Sequence, residues 1–244
     1  MKLQLILLLG LLPAASHAQA APAPATAPAP PASTAPGPPT AAPTAPAMSP
    51  LERERNRWNT MLTGRSPGYV FNQEPNALLV EAVRNVKPGA ALDVGMGQGR
   101  NALFLARQGW QVTGIDVADE AVALARQQAV AAGLKITAVV QDDSTYDFGT
   151  ARWSLLAFVY AGGGENVARA FRALKPGGLV VMEAYGQDQS GIGAGITFAP
   201  QQLRRQYEAA GFEIVRYAEA EGVADFKMRR TVPLIKLVAR KPLR

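Results

Sequence analysis

The chain has 244 residues, 48% of them hydrophobic and 18% charged, with 25 Lys and Arg against 19 Asp and Glu for a formal net charge of +6. It contains no cysteine, which excludes disulfides, thiolate nucleophiles and lipoprotein processing. The single histidine is His17, so residues 18–244 offer none for zinc ligation or a histidine-based triad, and no metal site is expected.

Lys2 is the only charged residue before Glu52. An apolar run of leucine and isoleucine follows it over residues 3–12, and then a small-x-small end at Ala18 and Ala20. A short basic start, an apolar core and such an end read as a secretory signal peptide over residues 1–20. The run is shorter than the roughly 20 apolar residues of a spanning helix, so no transmembrane segment is expected after cleavage. Residues 21–50 are almost wholly alanine, proline, threonine and serine, the composition of a disordered linker with extended polyproline character. The expected product is one exported domain, periplasmic or secreted, over residues 51–244. A start at Met48 is the alternative and would leave it cytoplasmic.

Within that domain, residues 51–62 read as a helix with Trp58, Met61 and Leu62 available to pack. A second helix starts near Pro75, a favoured first-turn residue, and ends before Lys87-Pro88-Gly89. Ala91-Leu92-Asp93-Val94 is a buried strand that breaks into Gly95-Met96-Gly97-Gln98-Gly99 and opens a helix over 101–107. Such a loop brings backbone close to a ligand and points helix-start N–H groups at it. A second strand, 111–115, ends in Asp116, an acid placed to meet the two hydroxyls of a ribose. Asp119 is the expected N-cap of a helix over 121–132, stopped by Gly133. A third strand, 135–140, runs into Gln141-Asp142-Asp143, and residues 153–160 form a fourth, fully apolar one. A helix over 166–174, the turn Lys175-Pro176-Gly177-Gly178, a strand over 179–184, a helix over 200–210 and strands over 212–217 and 231–239 complete the chain. The fold class is therefore α/β.

A dinucleotide-binding loop needs G-x-G-x-x-G, whereas here the spacing is G-x-G-x-G and Arg100 stands where that third glycine would be. Behind Asp93, this spacing resembles class I S-adenosylmethionine (SAM)-dependent methyltransferases. The string GQGRNALFLARQGWQVTGIDVADEAVALARQQA resembles in particular the tellurite-resistance and thiopurine-type small-molecule methyltransferases. The resemblance implies a Rossmann-like, seven-stranded, mostly parallel sheet with helices on both faces and an antiparallel last strand. It implies SAM as cofactor, with Asp93, Gly95, Gly97, Gly99, Asp116, Asp142 and Asp143 around it. The methionine end goes to the loop, the ribose to Asp116, the adenine amino group to Asp142 and an adenine ring nitrogen to the Asp143 N–H.

The acceptor is expected over the ends of strands four and five, near Phe158, Tyr160, Glu183 and Tyr185. With no histidine, a general base would have to be Tyr160, Glu183, Tyr185 or Asp225, and a soft nucleophile needs none. The Pro-Pro-aromatic turn of nucleobase amino-methyltransferases is absent, since Ala161-Gly162-Gly163-Gly164 follows Tyr160. The partner expected is thus a small-molecule methyl acceptor rather than nucleic acid. A nucleic-acid or protein methyltransferase, drawing on late basic residues such as Lys227, Arg229 and Arg230, is one alternative. A non-catalytic relative that binds SAM or a nucleoside is the other.

Overall fold

Alternate residues of β1 (Ala90–Val94) face opposite sides of the sheet, and this alternation sets the layering. Leu92 and Val94 join a cluster with Leu156, Phe158, Val180 and Met182, while Ala91 joins Leu155, Ala157, Leu179 and Val181 on the other side. The strands supplying these residues, β4 (Trp153–Val159) and β5 (Leu174–Gly186), are apolar on both faces because helices cover both. Helices α2 (Ala77–Val83) and α3 (Arg100–Arg107) bury Leu78, Leu79, Val83, Ala102 and Leu105 on one face. On the other, α5 (Val167–Ala173) and α6 (Gln202–Ala209) bury Ala170, Ala173, Leu203 and Tyr207.

The protein was analysed as a computed structural model that describes residues 48–67, 71–187, 197–225 and 231–244, all within one compact unit spanning Ala47–Arg244. The expected signal peptide (1–20), most of the expected linker (21–50), and Lys227, Arg229 and Arg230 lie outside these residues.

The remaining elements are α1 (Pro50–Leu62), β2 (Gln111–Asp116), α4 (Asp119–Ala131), β3 (Ile136–Val140), β6 (Thr197–Phe198), β7 (Glu213–Val223) and β8 (Thr231–Arg240). The strand order is β3-β2-β1-β4-β5-β8-β7. Strands β3, β2, β1, β4 and β5 run parallel, and β8 lies antiparallel between β5 and β7. This is the Rossmann-like α/β architecture the sequence implies. The short β6 pairs with the end of β5, so the sheet has eight strands rather than seven.

Four local expectations are corrected. The first helix starts at Pro50, inside the expected linker, because Ser49 accepts from Glu52 N–H at 3.2 Å and donates its own N–H to Glu52 Oε2 at 2.7 Å in a capping box. The N-cap of α4 is Ala118, not Asp119; Asn59 of α1 takes over the cap by accepting from Glu120 N–H at 3.1 Å. Strand β5 begins before the Lys175-Pro176-Gly177-Gly178 turn, whose Gly177 N–H and Gly178 carbonyl bond Lys241 at 2.9 Å each. Strand β7 continues to Val223 because β8 pairs along its whole length.

Candidate active site

Strands β1, β2, β3 and β4 end on the same side of the sheet, and their carboxyl ends open into a cleft of about 410 Å³. This is where an open α/β sheet binds ligands, outside the carboxyl ends of its strands at the reversal of strand order. Gly95, Gly97, Asp116, Asp142, Asp143 and Tyr160 line it. Helix α1 adds Glu54, Trp58 and Leu62 from the opposite wall.

The glycine loop is shaped by close approach. Gly95 has φ +67°, and a Cβ there would stand 2.3 Å from that of Ala161. Gly99 (φ +85°) acts differently, because its missing Cβ lets α3 sit against Ala125 of α4, where a Cβ would come to 2.9 Å. Gly99 therefore packs helices rather than lining the cleft.

Asp93 also falls outside the lining. It lies on the α2/α3 side of the sheet, 1% exposed, and its Oδ2 has no hydrogen-bond partner among the described residues. Burial pushes its carboxyl up to about 7, with Arg100 opposing the rise and Asp116 adding to it. Asp116 accepts from Gly97 N–H through Oδ2 and from Ala118 N–H through Oδ1, at 2.8 Å each. Burial still raises its pKa, although those N–H groups resist. Asp142 accepts from Ser144 N–H at 2.8 Å in a local turn. Asn166 donates to Asp143 Oδ2 at 2.8 Å, and Arg169 donates to the Asp143 carbonyl at 2.9 Å, which fixes the loop after β3.

Of the four general-base candidates, Tyr160 alone lines the cleft. It has φ +57°, its N–H donates to the Glu183 carbonyl at 2.8 Å and its hydroxyl donates to Glu183 Oε1. Burial first, and then the Glu183 carboxylate, push the phenol above its ordinary value, so it keeps its proton. Glu183 is 4% exposed, also accepts from Asn76 Nδ2 at 3.1 Å, and has Lys236 Nζ 3.7 Å from Oε2. Tyr185 stacks behind Tyr160, with ring centroids 5.0 Å apart. Asp225 accepts from Arg100 at 2.7 Å and from Asn76 Nδ2 at 2.9 Å. Burial alone would raise its pKa; Arg100 and the amide donors outweigh it and hold the carboxylate low. Each of these groups has a protein partner among the described residues.

The sequence reading missed Asn59 and Asn76. Both are buried carboxamides that join distant segments, and Asn76 also caps α2 by accepting from Leu79 N–H at 3.2 Å. An Asn just after Pro75 is a cap signal; its reach to Glu183 and Asp225 has no local signature.

Comparison with known proteins agrees with this geometry. Residues 91–178 match the family described as a methyltransferase domain. Hemagglutinin 1 of Eikenella corrodens is 32% identical over an alignment of 178 residues that covers 66% of this chain and 58% of that protein. The chain therefore spans less than two thirds of that relative. TehB of Haemophilus influenzae superposes with TM-score 0.61 at 20% identity, over 68% of this chain and 62% of that one. The 1,6-didemethyltoxoflavin-N1-methyltransferase of Burkholderia thailandensis does so with TM-score 0.57 at 21% identity, over 82% and 93%. Residues 91–178 are thus similar to a methyltransferase domain, and the superpositions show a shared fold.

Proposed function

We propose that the protein holds SAM in the cleft at the carboxyl ends of β1 to β4 and transfers its methyl group to a small-molecule acceptor. The observation that carries this reading is the convergence of Gly95, Gly97, Asp116, Asp142 and Asp143 on one cleft in a methyltransferase domain. A small acceptor is supported by the toxoflavin methyltransferase, whose structure holds 1,6-didemethyltoxoflavin and S-adenosylhomocysteine. The residues suit the cofactor. The loop at Gly95 has no room for a Cβ, and Asp116, Asp142 and Asp143 line the same cleft with hydrogen-bond acceptors.

SAM, a sulfonium, supplies an already electrophilic methyl group. The protein's part is then to orient donor and acceptor and to exclude water. Gly95 and Gly97 take the methionine end, Asp116 the ribose hydroxyls, Asp142 the adenine amino group and the Asp143 N–H an adenine ring nitrogen. Tyr160 lines the acceptor side with Tyr185 packed against it, and Tyr160 stays protonated against Glu183.

SAM and S-adenosylhomocysteine should raise the melting temperature by mass action, whereas NAD and NADP should not. Scans repeated at higher salt separate this from loose attraction of nucleotides to a basic protein. Stabilisation by NAD that survives salt, with none from SAM, overturns the proposal. The further reading that the domain acts outside the cytoplasm rests on Lys2, the apolar run and Ala18/Ala20. N-terminal sequencing from cell fractions tests it: a start near Gln19 or Ala21 is expected, and an intact Met1 or a cytosolic Met48 start removes it.

A further inference from the structure

Among the described residues lining the cleft, Glu54, Asp116, Asp142 and Asp143 carry negative charge, and Arg100 is the one guanidinium or ammonium that faces them. An available guanidinium on such a wall would be a fork for a carboxylate or other oxyanion. Arg100 is not available. It donates to Asp225 Oδ2 at 2.7 Å, to the Glu74 carbonyl at 3.0 Å and to the Asn72 carbonyl at 3.5 Å.

Asp225 stands behind the wall rather than on it. Its side chain and that of Arg100 are each 16% exposed, so the pair is shielded more than a surface ion pair. The same residue also ties down its surroundings. Its carboxylate accepts from Asn72 Nδ2 at 3.2 Å and Asn76 Nδ2 at 2.9 Å. Its carbonyl accepts from Asn72 N–H at 2.9 Å, and its own N–H donates to the Tyr160 hydroxyl at 3.3 Å. Three residues that line the cleft, Asn72, Arg100 and Tyr160, are thus held by one carboxylate-bearing residue just beyond β7.

We propose that Asp225 is a positioning residue that sets the charge of the acceptor: by neutralising Arg100 it makes the cleft accept uncharged molecules and turn away anionic ones. With the pair intact, an incoming anion meets no spare cation among the described lining residues. With Asp225 neutral, it meets a partly buried guanidinium. The catalytic meaning of this selection rests on the methyltransferase reading; the selection itself is a matter of binding.

The test uses benzoate and its uncharged isostere benzamide, titrated calorimetrically into the full chain with and without S-adenosylhomocysteine. In the wild type, benzoate should bind no more tightly than benzamide. Asp225→Asn should shift the benzoate-to-benzamide affinity ratio toward benzoate by about tenfold or more, because the Arg100 guanidinium becomes available to the ligand carboxylate. The shift should vanish in the double variant Asp225→Asn/Arg100→Gln, and Asp225→Glu should restore the wild-type order. A merely structural role for Asp225 would move none of these ratios in that pattern. A wild-type preference for benzoate, an unchanged ratio in Asp225→Asn, or a shift that survives loss of Arg100 overturns the proposal. If Asp225→Asn does not fold, the wild-type order and the Asp225→Glu variant still decide. Failure of S-adenosylhomocysteine to bind would instead sink the methyltransferase reading and leave the anion ratios interpretable on their own.

Discussion

The Gly97 N–H donates to Asp116 Oδ2 at 2.8 Å, so the acid that ends β2 also clamps the glycine loop that follows β1. Asp116 therefore clamps the loop, and on the proposed reading it also takes the ribose. Asp116→Ala should raise the SAM dissociation constant about tenfold or more, since charge-assisted hydrogen bonds contribute about 1.5–3 kcal/mol each. Asp116→Asn, which keeps one acceptor oxygen, should lose less. Titration calorimetry measures both, and an unchanged affinity in a folded Asp116→Ala protein removes the ribose assignment.

Asp93 makes a prediction about pH. Its carboxyl titrates near 7 in the folded protein against an ordinary 3.8, because burial disfavours the charge. Between those values the native state holds a proton that the unfolded chain has released. Stability from this group therefore falls as pH rises from about 4 to about 7, then levels off. Asp93→Asn should abolish that fall and gain on the wild type as pH rises through this window. Urea unfolding of both proteins at pH 5 and pH 8 checks the sign. A difference that shrinks toward pH 8 would contradict the assignment.

Asn59 should matter beyond its own helix. Its amide donates to Asp119 Oδ1 at 2.8 Å and its carbonyl oxygen accepts from Glu120 N–H at 3.1 Å, capping α4 from α1. Asn59→Ala should cost about 1–2 kcal/mol, the range of lost N-caps. It should also weaken SAM binding, because α1 brings Trp58 and Leu62 to the cleft. Denaturation and calorimetry on the same variant would show the two losses together; lost stability with full affinity would mean α1 is not part of the cofactor site.

Two glycine substitutions separate backbone strain from steric exclusion. Gly95 and Gly133 both have positive φ, +67° and +65°, but only Gly95 would drive a Cβ into a neighbour. Gly133→Ala should cost about 1 kcal/mol for conformation alone. Gly95→Ala adds overlap with Ala161, should cost about 1–3 kcal/mol more and should abolish SAM binding. Equal melting temperatures for the two variants would refute the argument.

The parallel half of the sheet was legible because β1 and β2 are apolar runs closed by Gly95 and Asp116, and α3 and α4 are followed closely by Gly109 and Gly133. The cleft-lining acids were legible for the same reason, since Asp116 and Asp142 sit where strands end. The sequence did not disclose which side chains meet across long stretches of chain. Asn59 meets Asp119, Asn76 meets Glu183 and Asp225, and Arg100 meets Asp225. Such pairs leave no periodic trace, and each partner read alone passes for a surface polar residue. The partners of Glu183, one of four general-base candidates, were hidden on the same ground: Asn76 and Tyr160 both donate to it. Strand β6 escaped notice because two residues carry no alternation at all.

Strand β8 is the last of the strands along the chain and yet lies inside the sheet, between β5 and β7. Until Thr231–Arg240 has been synthesised, the segment Leu179–Tyr185 has no hydrogen-bonding neighbour on that side, and β7 has no place to dock. A nascent chain therefore carries a long, apolar open edge, the kind of edge that pairs with other chains. Closure of this sheet waits on β8, so a ribosome that stalls before residue 231 releases a product prone to aggregate rather than a shorter, folded domain.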